Sequence, residues 1–169
     1  DISGSMSGGE VAGVPGLTPR VASAAMALVT ANVEKQYQFV GFSDAAHGVK
    51  GITNGHVGHY APGLIPLTIT PRQRLDDVCN YTKNLPMGGT DCALPFLWAA
   101  DQNLPFDAFV TYTDSESWAG KIHAAEALRM YRKSHVQDAR AVVVGMVAND
   151  FTVLDPEDAG SLNVVGFDP

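Results

Sequence analysis

Hydrophobic positions recur along this chain with two periods, and the two alternate. Val21, Ala24, Ala25, Leu28, Val29 and Val33 are spaced for one broad helical face. The Thr18-Pro19 pair ahead of them can cap and open that helix, which should run to about Lys35. Residues 37–42 (Tyr-Gln-Phe-Val-Gly-Phe) form a short apolar run expected as a buried strand, ended by Ser43-Asp44. Thr70-Pro71 repeats the cap-and-proline signal and predicts a helix from Pro71 to about Lys83. A third helix is expected from Cys92 or Ala93 to about Gln102, turning Leu94, Leu97, Trp98 and Ala99 inward. Residues 106–113 read as a strand delivering Asp114 at its end, residues 122–134 as a helix, and residues 140–147 as the clearest buried strand. Val153-Leu154 and residues 162–165 offer one more short strand, with a turn around Pro156.

Between the first strand and the second helix the pattern weakens. Residues 47–52 suit an edge strand, and residues 54–66, rich in Gly, His and Pro, read as a loop. His56 and His59 lie three apart there, but with no third ligand in range they read as exposed loop histidines. Strands and helices otherwise alternate, and the strand runs are almost continuously apolar. That predicts an α/β fold, a doubly wound, mostly parallel sheet with helices on both faces.

In such sheets ligands gather at the carboxyl ends of strands, and three oxygen-rich loops fall there. The chain opens Asp1-Ile2-Ser3-Gly4-Ser5, placing a carboxylate and two hydroxyls at alternate positions in the pattern D-x-S-x-S. Gly88-Gly89-Thr90-Asp91 and Thr111-Tyr112-Thr113-Asp114 supply the rest. Carboxylates and hydroxyls are hard donors that suit Mg²⁺, Mn²⁺ or Ca²⁺. The competing reading of D-x-S-x-S alone is a turn whose side chains cap backbone N–H groups.

Length and charge narrow the function. At 169 residues the chain is one domain, and 46% hydrophobic residues suffice for a core. A net charge of −7 argues against a non-specific nucleic-acid grip by this domain, since that relies on Lys and Arg at phosphates. Apolar runs are too short for a membrane span. Cys79 and Cys92 lack zinc spacing and read as free thiols of a reducing, cytoplasmic compartment. Catalysis is not expected: G-x-S-x-G and P-loop motifs are absent, and serine stands where a phosphatase would carry its second carboxylate. Trp98 reads as core, while Trp118, beside the metal edge, is open between partner contact and packing. Arg129, Arg132, Lys133 and Arg140 concentrate positive charge, either as a solvated face or as a local RNA contact.

D-x-S-x-S, a glycine-preceded threonine and a strand-terminal aspartate together resemble the metal-ion-dependent adhesion site (MIDAS) of von Willebrand factor A domains. Residues 88–95, 113–120, 127–133, 155–158 and 166–168 further resemble the C-terminal A domain of Ro autoantigen (TROVE) proteins. The resemblance implies that Ser3, Ser5 and Thr90 bind a cation, Mg²⁺ first, through hydroxyls. Asp1 and Asp114 would bind it directly or through waters; Asp91 stays open. The cation would accept an acidic residue of a protein partner, and an α-ammonium at Asp1 would weaken the ion's hold. The whole protein would bind small non-coding and misfolded RNAs through helical repeats outside this sequence. The alternative is a stand-alone A-type adhesion or assembly module unrelated to RNA. An A domain also has a hydrophobic central strand before its first aspartate and a final helix. This chain is therefore expected to be a piece of a longer protein.

Overall fold

The computed structural model describes residues 1–44, 63–85, 88–114, 119–147 and 152–166. The suggested edge strand at 47–52, His56, His59 and Trp118 lie outside them. After a 3-10 turn at Gly4–Ser7, the elements are α1 Pro19–Val33, β1 Phe39–Phe42, β2 Leu64–Leu67, α2 Leu75–Lys83, α3 Leu94–Asp101, β3 Ala108–Thr113, α4 Ala124–Ser134, β4 Arg140–Gly145 and β5 Ser161–Val165.

The first helix starts where its cap chemistry says, with Thr18 Oγ1 accepting from the Val21 N–H at 3.4 Å and Pro19 at the first position. The second does not. Thr70-Pro71-Arg72-Gln73 closes a separate turn, Gln73 N donating to Thr70 O and Gln73 Oε1 accepting from Thr70 N. α2 begins only at Leu75, where Asp76 and Asp77 in its first turn suit the positive end of the helix dipole. The loop expected over 54–66 is also corrected at its end. Leu64–Leu67 is a strand, antiparallel to β1, with Phe39 opposite Leu67 and Phe42 opposite Leu64.

The order β3-β4-β5 is a parallel sheet, Ala108 pairing with Arg140 and Ala141 with Ser161. Alternation along these strands feeds two cores. On one face Phe109, Ala141 and Val143 pack with α3 and α4 through Phe96, Trp98, Leu128 and Tyr131. On the other, Tyr112, Val142 and Val144 meet Ala22 of α1. Ala24 and Ala27 continue that layer onto Val78 of α2. Helices cover both faces, as the alternating sequence pattern requires.

β1–β2 and β3–β4–β5 are separate sheets with a cleft of about 1040 Å³ between them, lined by β1, the inner edge of β3 and Tyr37. Two residues bridge it at one end. Asp1 N donates to Tyr112 O at 2.9 Å, and Ile2 N donates to Phe42 O at 2.9 Å. Both acceptors lie at the carboxyl ends of their strands, so the chain's opening residues occupy the last rung between two strand ends.

Candidate metal centre

That rung fixes Asp1, and the tight turn after it fixes the hydroxyls. Ser3 stands directly ahead of the 3-10 turn, and Met6, fully buried, anchors it to the core. Gly8 N donates back to Ser5 O at 2.8 Å and closes it. Asp1 Oδ1 accepts from Ser3 N at 2.7 Å. This is the capping contact that the turn-only reading anticipated, and it coexists with a wider network. Asp1 Oδ2 accepts from Thr113 Oγ1 at 2.6 Å and from Thr90 Oγ1 at 3.4 Å. Ser3 Oγ and Ser5 Oγ are 3.1 Å apart, and Ser5 Oγ donates to Asp114 Oδ1 at 3.1 Å.

All five residues singled out in the sequence, Asp1, Ser3, Ser5, Thr90 and Asp114, thus join one cluster although they span more than a hundred positions. Ser3, Thr90 and Asp114 are buried, whereas Ser5 is exposed, so the cluster opens to solvent on the Ser5 side.

The donor set is two carboxylates and three hydroxyls, all hard oxygens. It suits an oxygen-seeking divalent ion and offers nothing to a thiophilic one. Among the described residues no three or more His, Cys, Asp or Glu side chains cluster as a metal site. The fit therefore rests on hydroxyls, which also leave an ion less neutralised than a carboxylate cage would.

A second layer supports the Thr90 loop. Asp91, open in the sequence reading, holds the turn that leads into α3: its Oδ1 accepts from Ala93 N at 3.0 Å. Burial pushes its carboxyl up, the Ala93 bond pulls it down, and the charge of Asp44 adds upward pressure. Asp44 belongs to this layer too, its Oδ2 accepting from Gly89 N at 2.7 Å. A Cβ at Gly89 would come within 2.7 Å of that oxygen, which explains the glycine before Thr90. Sequence reasoning took Asp44 only as a strand end. The signal was its place after β1, matching Asp114 after β3.

Elsewhere, Trp98 is buried as expected. Two of the four clustered cations have carboxylate partners: Arg129 meets Asp155 at 3.4 Å and Arg132 meets Asp158 at 2.5 Å. That weakens the case for an RNA contact there.

A doubly wound α/β domain with hydroxyl and carboxylate donors meeting at its strand ends is an A-type domain. A family model described as the Ro60 vWA domain matches residues 1–169, and the chain belongs to that family. It is 41% identical over 168 residues to the RNA-binding protein RO60 of Deinococcus radiodurans, covering 99% of this chain and 28% of that protein. Identity to the RNA-binding protein RO60 of Caenorhabditis elegans is 38% over 169 residues, covering 99% and 23%. The crystal structure of the Deinococcus radiodurans RO (RSR) protein superposes with a TM-score of 0.79 at 41% identity, covering 98% of this chain and 30% of that one. The chain thus spans about a quarter of the length of these curated relatives.

Proposed function

We propose that this domain binds a divalent cation, Mg²⁺ first and Mn²⁺ or Ca²⁺ as substitutes, and through it an acidic residue of a protein partner. The observation that carries the reading is the convergence of Asp1, Ser3, Ser5, Thr90 and Asp114 on one solvent-facing oxygen cluster. Ser3, Ser5 and Thr90 would hold the ion by hydroxyls, with Asp1 and Asp114 bound to it or to its waters. When bound, the ion supplies an electrophilic position that a carboxylate can fill. The chain's own residues orient and expose that position; no bond-making chemistry is assigned to them.

The domain would serve an RNA-binding Ro protein, a reading supported by the relatives' description as RNA-binding proteins; we extend this to a cytoplasmic protein concerned with small non-coding RNA and RNA quality control. A net charge of −7 favours an RNA grip outside this domain, with this domain acting in protein interaction or assembly. The cleft between β1 and β3 has room for a further strand, parallel to both edges, that would join the two sheets. Substituting Asp114→Ala tests the binding role. Cation-dependent capture of an acidic partner should be lost, with cooperative unfolding and small-RNA binding by the protein retained. Undiminished cation-dependent capture would overturn the reading.

A further inference from the structure

Arg20 is 7% exposed and sits at the second position of α1, where the positive end of the helix dipole disfavours a cation. Burial lowers its pKa and the charge of Asp114 raises it, so the guanidinium lies within the field of the oxygen cluster. A charge in so unfavourable a place requires compensating contacts, and its fork makes three. Nε donates to Ser7 Oγ at 2.8 Å, Nη2 to Ser3 O at 3.2 Å, and Nη1 to Thr82 O at 3.0 Å. Ser3 precedes and Ser7 ends the 3-10 turn that carries Ser5. Thr82 lies in the last turn of α2, and its hydroxyl donates to Val78 O at 3.0 Å within the helix.

We propose that Arg20 is the positioning residue of the oxygen cluster: its planar fork clamps both ends of the Gly4–Ser7 turn to α2 and so aims the Ser3 and Ser5 hydroxyls at one point. This rests on the cation reading above. Position and charge predict opposite outcomes. The fixed positive charge by itself repels a cation, so a neutral residue at 20 would tighten binding if charge were the whole effect. Lysine preserves the charge but lacks the fork and cannot hold three acceptors in one plane.

The test measures Mn²⁺ affinity in the protein with Arg20→Lys and Arg20→Met, alongside Arg132→Lys as a distant fork-to-lysine control. Positioning predicts weakening of about tenfold or more in both Arg20 variants, the range seen when groups supporting metal ligands are removed. The control should lower Tm without moving Mn²⁺ affinity. Unchanged affinity in Arg20→Lys with tighter binding in Arg20→Met would overturn the proposal. Amide exchange in cation-free protein separates its failure from failure of the cation reading. If the unaltered protein binds no Mn²⁺, the cation reading fails, and exchange at Ser3 and Gly8 decides on Arg20 alone. Faster exchange in Arg20→Lys supports positioning, and unchanged exchange contradicts it.

Discussion

Gly120 has φ +91°, and a Cβ placed there would lie 2.3 Å from Asp91 Oδ2. The neighbouring Ala119 N donates to Thr90 O, so this turn lies against the loop that carries a site hydroxyl. Gly120→Ala should therefore combine backbone strain with displacement of the Asp91 carboxylate and cost about 2–3 kcal/mol, lowering Tm by roughly 5–10 °C. Gly9, at φ +70° with nothing near its missing Cβ, is the comparison. Gly9→Ala should cost only the backbone term, about 1 kcal/mol. Equal losses in thermal unfolding would mean that the Asp91 contact contributes nothing. Residue-scale chemistry was legible for the site because spacing alone places Asp1, Ser3 and Ser5 on one turn. The supporting layer was not. Asp44 follows a strand like any turn-forming aspartate, and only its bond to Gly89 gives it a role.

Between elements, α4 and the approach to β5 are joined by Arg132 and Asp158. Asp158 also accepts from Ser161 Oγ and Gly160 N, and Ser161 together with Arg132 holds its carboxyl down at about 2. A carboxyl near 3.8 when unfolded and near 2 when folded stabilises fully above pH 4 and loses that contribution as pH falls toward 2. Asp158→Asn should lower Tm at pH 7 by about 3 °C, a modest effect because the pair is partly exposed, and flatten the fall between pH 4 and 2. An unaltered acid limb would show that the pair does not couple to folding. The β1–β3 cleft makes a second element-scale prediction. Adding a short apolar, β-branched segment ahead of Asp1 should raise Tm by about 10 °C or more, since a strand that fills the cleft and is buried there adds several kcal/mol. An unchanged Tm would mean that the cleft is not a strand site.

These elements also show what a sequence hides. α1, β3 and β4 were readable because cap residues and unbroken apolar runs agree with their tertiary setting. β2 was not, because Pro66 within Leu64–Leu67 lacks the N–H of a ladder and reads as loop. An edge strand tolerates it, and among the described residues β2 pairs only with β1. The Thr70-Pro71 signal misled because capping residues favour any tight turn, and Gln73 captured Thr70 before a helix began.

For the whole molecule, the fold brings loops from the start, middle and later half of the chain to one edge, and family membership follows from the match over residues 1–169. Function at this scale depends on whether that edge holds an ion. Titrating Mg²⁺ into the protein by calorimetry, with and without the Ser3→Ala/Ser5→Ala pair, tests this most directly. The account predicts saturable binding that the double substitution abolishes while cooperative unfolding persists. No heat of binding in the unaltered protein, or equal binding in both, would contradict it.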